Sequence, residues 1–326
     1  MQKVLITGAS GFVGFHLVEK CLAAGLDVYV AVRKSSSVEH LQHLKITYTY
    51  PDFSSVEKLQ QELHEKQYDF IIHAAGTTKA LNAEAYNAVN AMYTANLGKA
   101  VSQYGGIKKM VFMSSLGAIG PLNHYDKLIQ HDQQPNPVTA YGKSKLLAEK
   151  ALAEYDLPLV VLRPTAVYGP REKDIFIILK SISQGIEPYI GKTSQQLSFI
   201  YVKDLAQLTV NALFSPATGT YNVTDGRCYD RYQLADLTKK YLSKKTFRFH
   251  LPLTIVKGVA VLMETTYALL NKTAVLNKEK LNELTAMNWC CDISKLKSDL
   301  QFEPRFDLEA GLRETLEWYK ANGWLK

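Results

Sequence analysis

Cysteine is scarce, at four of 326 residues, and Cys21, Cys228, Cys290 and Cys291 form neither a CxxC pair nor a Cys/His ligand spacing. That excludes the usual zinc spacings, so no metal is expected and the thiols are read as reduced, in a cytoplasmic protein. Runs of one charge are also missing: 38 Lys and Arg against 31 Asp and Glu give a net +7 that is dispersed, with no basic arm. A nucleic-acid partner is therefore not expected. No repeat or low-complexity segment is seen, and no leader is expected, because the strand-like Lys3-Val4-Leu5-Ile6 starts at the third residue without an apolar leader core and cleavage site. Nor is there a long uninterrupted apolar run. The stretch 251–270 is broken by Lys257 and Glu264, so a membrane span is not expected. It reads as a pair of buried helices over the active site, with a peripheral membrane contact as the alternative, since its two charges lie seven apart on one helical face.

What is present is an alternation. Short β-rich runs at 3–7, 28–32, 46–49, 69–73, 109–114 and 158–163 are separated by helical periodicity near 12–24, 54–66, 84–104 and 138–154. This is the pattern of βαβ units, and it predicts an α/β fold, a Rossmann-type doubly wound parallel sheet with a smaller C-terminal substrate-binding region. A dinucleotide-binding domain is expected over 1–170, with 197–223 returning to it. Residues 171–196 and 224–326 are expected to form mainly the substrate region, with strands near 197–202 and 219–223 and helices near 174–184, 204–214, 231–242 and 307–321.

Ligands of such sheets bind beyond the carboxyl ends of the strands, so the residues after each run carry the functional reading. After the first run stands Thr7-Gly8-Ala9-Ser10-Gly11-Phe12-Val13-Gly14. Its three glycines permit a tight turn and a close backbone approach, and the helix that follows offers free N–H groups to a pyrophosphate. Gly8, Ser10, Gly11, Phe12, Val13 and Gly14 are thus candidate cofactor contacts. After the second run, where an acidic residue would bind ribose hydroxyls, the chain has Arg33 and Lys34 with serines. That basic pair suits a 2′-phosphate and predicts NADP(H) over NAD(H), with NAD(H) still possible. Asp52 and Phe53 are placed to flank the adenine. Ala74, Ala75 and Gly76 supply small residues where the backbone passes the cofactor, and His73 before them reads as a packed core histidine.

Ser115 follows the fifth run, and Tyr141 and Lys145, four apart on one helical face, open a later helix. A free tyrosine titrates near pH 10 and is a poor acid or base unless a cation lowers it. Tyr141 is therefore assigned proton transfer, Lys145 its tuning and a ribose contact, and Ser115 the orientation of the reacting carbonyl or alcohol.

With these pieces in place the chain resembles an extended short-chain dehydrogenase/reductase, of the NAD-dependent epimerase/dehydratase superfamily, along nearly its whole length. The resemblance rests on TGASGFVG at 7–14, HAAG at 73–76, Asn90/Thr94/Asn96, SS at 114–115, YGKSK at 141–145, RPTAVYGP at 163–170, FIYVKDLA at 199–206 and YNVTDG at 221–226. It implies Gly8, Gly11, Gly14, Arg33, Asp52, Ala74, Tyr141, Lys145 and the segment Pro164, Thr165, Ala166 and Val167 as cofactor contacts. It implies Ser115, Tyr141 and Lys145 as the catalytic set, and a homodimer through the helices at 84–104 and 138–154.

Within that family, nucleotide-sugar enzymes usually carry an arginine two residues before the FIYV phenylalanine, where it grips a substrate phosphate. This chain has Leu197. Dehydratases follow the strand with threonine and acidic residues, whereas Ser115 is followed by Leu116-Gly117-Ala118. SSLGAIGP, the YNVTDG turn, the apolar 251–270 stretch and the tail from Cys291 to Tyr319 are similar to 3β-hydroxysteroid dehydrogenases and dihydroflavonol-reductase-like enzymes. The expected activity is hydride transfer between NADP(H) and a secondary alcohol or ketone of an apolar, sterol-like or flavonoid-like small molecule. The alternatives are a nucleotide-sugar epimerase or dehydratase with tightly held NAD, and a non-catalytic dinucleotide sensor.

Overall fold

Side chains of a strand point alternately to its two faces, and the first strand, β1 (Lys3–Thr7), sends Val4 and Ile6 into one apolar layer and Leu5 into the other. In β4 (Phe70–His73) and β5 (Lys109–Met113) the same split recurs, with Ile72 and Val111 on one side and Ile71, Met110 and Phe112 on the other. A sheet buried on both faces is the result. The protein is seen in a computed structural model that describes residues 1–269 and 277–325.

The remaining strands are β2 (Asp27–Ala31), β3 (Thr47–Thr49), β6 (Leu159–Pro164), β7 (Ala166–Tyr168), β8 (Ile186–Ile190), β9 (Gln196–Leu197), β10 (Phe199–Tyr201), β11 (Gly219–Val223), β12 (Tyr229–Asp230) and β13 (Phe247–Leu251). The helices are α1 (Phe12–Ala23), α2 (Val56–Lys66), α3 (Ala83–Tyr86), α4 (Tyr93–Tyr104), α5 (Ala140–Ala153), α6 (Asp174–Ser183), α7 (Val202–Phe214), α8 (Gln233–Leu242), α9 (Leu253–Leu269), α10 (Lys278–Thr285), α11 (Ser294–Leu300) and α12 (Leu308–Ala321). A π-helical turn, Asn87–Met92, joins α3 to α4.

Seven strands form one parallel sheet in the order β11-β6-β5-β4-β1-β2-β3. The fold is the expected Rossmann-type doubly wound sheet. Strand order reverses between β1 and β4, which makes the carboxyl ends of those two strands the place for a ligand. β11 returns from late in the chain to pair with β6, and β10 pairs with β7. A separate core of Tyr168, Leu179, Phe199, Tyr201, Tyr229, Leu308, Leu312, Leu316 and Tyr319 fills the region beside the sheet.

Two expectations are corrected. Cys228 and Cys290 are joined as a disulfide with Cα atoms 5.5 Å apart, rather than being reduced thiols. The cause is tertiary: β12 pairs with β9 at Tyr229 and Leu197, and Trp289 donates its N–H to Gln196 O at 2.9 Å, so both cysteines are drawn to the same short strand. Cys21 and Cys291 are free and buried, and burial pushes both thiols up. The apolar stretch 251–270 is not a pair of buried helices. It is the end of β13 and the single helix α9, whose Ile255, Val259 and Leu262 are exposed, and residue 270 lies outside the described residues. Among the described residues no helix is long and apolar enough to cross a membrane.

Candidate active site

At the carboxyl end of β1, Gly8 turns the chain at φ +74° and its carbonyl accepts from Gly11 N–H at 3.0 Å. Gly11 caps α1 without a side chain, and no acidic residue occupies the first turn of the helix. The N–H groups at Phe12, Val13 and Gly14 therefore have neither an intrahelical acceptor nor a capping side chain, which is the donor set an anion needs. The loop also has no room to spare. A Cβ on Gly8 would lie 2.6 Å from Ala74 O, and one on Gly14 would lie 2.0 Å from Gly8 O. This cradle and its free donors fit a dinucleotide pyrophosphate. Ser10 lies within the same turn.

His73 ends β4 between two hydroxyls, with Nδ1 2.8 Å from Thr7 Oγ1 and Nε2 2.8 Å from Thr94 Oγ1. Thr94 donates its own proton to Asn90 O at 2.7 Å and so accepts from His73 Nε2–H, which leaves Nδ1 to accept from Thr7. Burial pulls the imidazole down to about 3, with the Lys145 charge acting the same way, so the ring is neutral. It is a packing residue, as expected, and it holds the turn that places Ala74 and Ala75. Ala75 N–H donates to Thr7 Oγ1 at 3.0 Å. Gly76 faces α5, where an added Cβ would meet Lys145 Nζ at 3.1 Å, and the π-helical turn, where it would meet Asn90 Oδ1 at 3.2 Å. Asn90, on the π-helical turn, fastens this loop by accepting from Thr77 N–H at 2.7 Å and donating to Ser144 Oγ at 2.9 Å.

Arg33 and Lys34 follow β2 with exposed side chains, and among the described residues neither is held in an ion pair. The turn beneath them is closed by Arg33 N–H to Ser36 Oγ at 3.2 Å. Asp52 is already engaged: it accepts from Ser54 N–H at 3.0 Å and Lys58 Nζ at 2.8 Å, bonds that hold its carboxyl down to about 2. Phe53 stacks toward His73 at 6.2 Å between ring centroids, inside the protein. Pro164 ends β6, Ala166 and Val167 open β7, and Thr165 between them donates to Ser198 O at 2.8 Å.

Ser115 leaves β5 and caps the short turn Leu116–Ala118, its Oγ accepting from Gly117 N–H at 3.1 Å. Thr139 caps α5 by accepting from Gly142 N–H at 3.0 Å, which puts half-buried Tyr141 in the first turn. Burial pushes the Tyr141 phenol up to about 12, opposed by the nearby Ser115 hydroxyl. Ser115 and Tyr141 are thus brought together. Lys145 Nζ donates to Met113 O at 2.8 Å and lies 4.9 Å over the Phe112 ring. A buried ammonium takes the nearest strong acceptor, which here is the end of β5.

Burial pulls Lys145 down to about 8, against the field of Glu149. Between about pH 8 and the ordinary lysine value of 10.5 the unfolded chain holds a proton that the folded chain has shed. Stability from this site is therefore lowest below pH 8 and rises with pH across that window. Urea midpoints measured from pH 7 to about 10 are expected to show the rise in the native protein and to lose it in Lys145→Met.

Several contributors are not among the expected residues. Glu149, one turn beyond Lys145, is buried and receives Arg163 Nε at 3.0 Å, Arg163 Nη2 at 2.5 Å and the Ser114 hydroxyl, tying α5 to the strand ends on both sides of Ser115. Its i+4 spacing from Lys145 was available in the sequence. Glu279 of α10 accepts from Ala140 N–H at 2.8 Å, and the Tyr86 ring lies 6.3 Å from that of Tyr141. Neither contact has a sequence signal, since Glu279 stands 139 residues from its partner. Leu197 is half-buried opposite Tyr229.

Comparisons with known proteins agree with this geometry. The sequence profile of the NAD dependent epimerase/dehydratase family matches residues 4–224. A ceramide reductase of Caulobacter vibrioides is 26% identical over 99% of this chain and 96% of its own length. A decarboxylating sterol-4-alpha-carboxylate 3-dehydrogenase of Candida albicans is 26% identical over 98% and 97%. Among solved structures, UDP-glucose 4-epimerase of Thermotoga maritima with UDP-glucose superposes with a TM-score of 0.81 at 22% identity, covering 98% of this chain and 99% of that one. The structural likeness speaks for the fold.

Proposed function

The chain belongs to the NAD dependent epimerase/dehydratase family, and from that premise we propose that it is an NADP(H)-preferring oxidoreductase that moves a hydride between the nicotinamide and a secondary alcohol or ketone of an apolar substrate. The observation that carries the reading is the convergence of Ser115, at the end of β5, with Tyr141 and the buried Lys145 of α5, next to the glycine cradle of β1. When bound, the nicotinamide supplies or accepts the hydride. The residues do the rest. Gly8, Gly11 and Gly14 admit the pyrophosphate to the start of α1, and Arg33 and Lys34 offer two unengaged cations to a 2′-phosphate. Ser115 orients the substrate oxygen, and Tyr141, which keeps its proton throughout the neutral range, delivers it to that oxygen in reduction. An apolar substrate is supported by Leu197 in place of a phosphate-gripping arginine and by relatives named for a ceramide and a sterol.

A second reading, nucleotide-sugar epimerisation with retained NAD, is favoured by the family's own description, which spans epimerases and dehydratases. One experiment separates them. NADPH and NADH oxidation is followed with sterol, flavonoid, long-chain and simple ketones, with UDP-sugars assayed alongside for interconversion. Consumption of NADPH with an apolar ketone, faster than that of NADH, is the expected result. Interconversion of a UDP-sugar by enzyme carrying copurified NAD, without net NADPH loss, overturns it.

A further inference from the structure

The Cys228–Cys290 disulfide lies where three short segments meet. The backbone groups of successive strand residues point to opposite edges of the strand. Leu197 of β9 pairs with Tyr229 of β12, while Gln196 donates its N–H to Met287 O at 2.8 Å and accepts from Trp289 N–H at 2.9 Å, so β12 and segment 287–289 lie on opposite edges of β9. Cys228 precedes Tyr229 and Cys290 follows Trp289. Their bridge therefore closes a clasp around β9 and its Leu197.

The same segment holds a further stretch of chain. Leu122 N–H donates to Asn288 O at 3.0 Å and Ile129 N–H to Cys290 O at 2.9 Å, and the Asn288 amide donates to His124 O at 2.8 Å and Lys127 O at 2.6 Å. Residues 122–129 continue from the turn that Ser115 caps. The clasp is thus coupled to the loop that leaves the candidate active site.

The two sulfurs differ in access. Cys228 is exposed and Cys290 is fully buried, so an external thiolate can reach the bridge only at Cys228. Cys290 also has a place as a free thiol, because its Sγ lies 3.7 Å from Leu197 O, an acceptor for the S–H once the bridge is open. The adjacent Cys291 does not compete. It is buried and burial pushes its thiol up, whereas exchange needs the thiolate.

We propose that Cys228–Cys290 is a reversible redox site that opens and closes in the folded protein by exchange with a small thiol of the glutathione type, and that its opening loosens β9 and the loop 122–129. The small thiolate attacks Cys228 Sγ, and the electron pair of the broken S–S bond passes to Cys290 Sγ, which takes up a proton. A second small thiolate attacks the small-thiol sulfur of the adduct, releasing the Cys228 thiolate and the disulfide of the small thiol. Two electrons enter the bridge and two small thiols are oxidised. Closure is the reverse, with that small disulfide as oxidant. The proposal does not depend on the hydride-transfer reading.

Peptide mapping of the full chain tests it, after incubation at graded ratios of reduced to oxidised glutathione, acid quenching and alkylation. The bridge is expected to open as the ratio rises, with the glutathione adduct on Cys228 alone, and to re-form when oxidised glutathione is added, all without denaturant. Hydrogen exchange at the amides of Gln196, Trp289 and Ile129 should speed up by about tenfold or more on opening, and equally in Cys228→Ser under oxidising conditions, while the β1 amides stay unchanged. Cys228→Ser replaces an exposed side chain and leaves the buried Cys290 in place. The proposal is overturned if both thiols are free at every ratio, if the bridge opens only in denaturant, if the adduct forms on Cys290, or if opening leaves those three amides unchanged.

Discussion

Tyr141→Phe is expected to lower kcat/KM by about a thousandfold, the size of a lost general acid, while nucleotide affinity and melting temperature stay near those of the native protein. The substitution removes one hydroxyl and keeps a ring of the same shape, packed near Tyr86 at 6.3 Å. What is lost is the phenol proton beside Ser115. Burial holds the phenol up at about 12, so in the native protein it keeps its proton through the neutral range. The turn proposed to hold the pyrophosphate is built from backbone around Gly8 and Gly14, away from the Tyr141 side chain. Steady-state rates with fluorescence titration of NADPH on the same preparation check both halves. Retained turnover would move proton transfer to another group and remove Tyr141 from the catalytic set.

The first half of the fold was legible because it is written locally. Runs at 3–7, 69–73 and 109–114 became β1, β4 and β5 within a residue, since their alternating apolar side chains are what the two buried faces of the sheet require. The placement of Ser115 at the end of β5 and of Tyr141 and Lys145 on α5 was legible for the same reason. Pairings made only by tertiary packing were not. β8 reads Ile-Glu-Pro-Tyr-Ile and β13 reads Phe-Arg-Phe-His-Leu, half-exposed segments whose charges satisfy one another across the pair, as Arg248 Nε does with Glu187 at 2.6 Å. β8 is interrupted by Pro188, whereas the alternation of β13 is a strand pattern that went unread. The Cys228–Cys290 bridge, 62 residues apart, and the turn of Lys145 toward Met113 O likewise depend on which backbone comes alongside. Glu149 is the intermediate case. Its spacing from Lys145 was visible, but its partners Ser114 and Arg163 come from two different strands.

Gly14→Ala carries the largest expected effect on the nucleotide site, and its neighbours in kind supply the controls. A Cβ at Gly14 would stand 2.0 Å from Gly8 O and 2.7 Å from Ala9 Cα. Both are backbone atoms of the turn, so no side chain can swing aside, and α1 must move away from β1. That displacement is expected to cost about 3 kcal/mol of stability. It also withdraws the N–H groups at Phe12 and Val13 from the pyrophosphate, so that nucleotide affinity falls by roughly a hundredfold or more. Gly11→Ala meets only Gly8 O, at 3.2 Å, from an ordinary extended backbone, and should lose far less. Gly25→Ala separates conformational strain from crowding, since Gly25 has φ +75° and nothing within 4 Å of an added Cβ. There about 1 kcal/mol of stability should go with no change in nucleotide affinity. Urea melts and NADPH titrations of the three variants therefore form a graded set. If Gly14→Ala loses no more affinity than Gly25→Ala, the turn after β1 is a packing device and the pyrophosphate lies elsewhere.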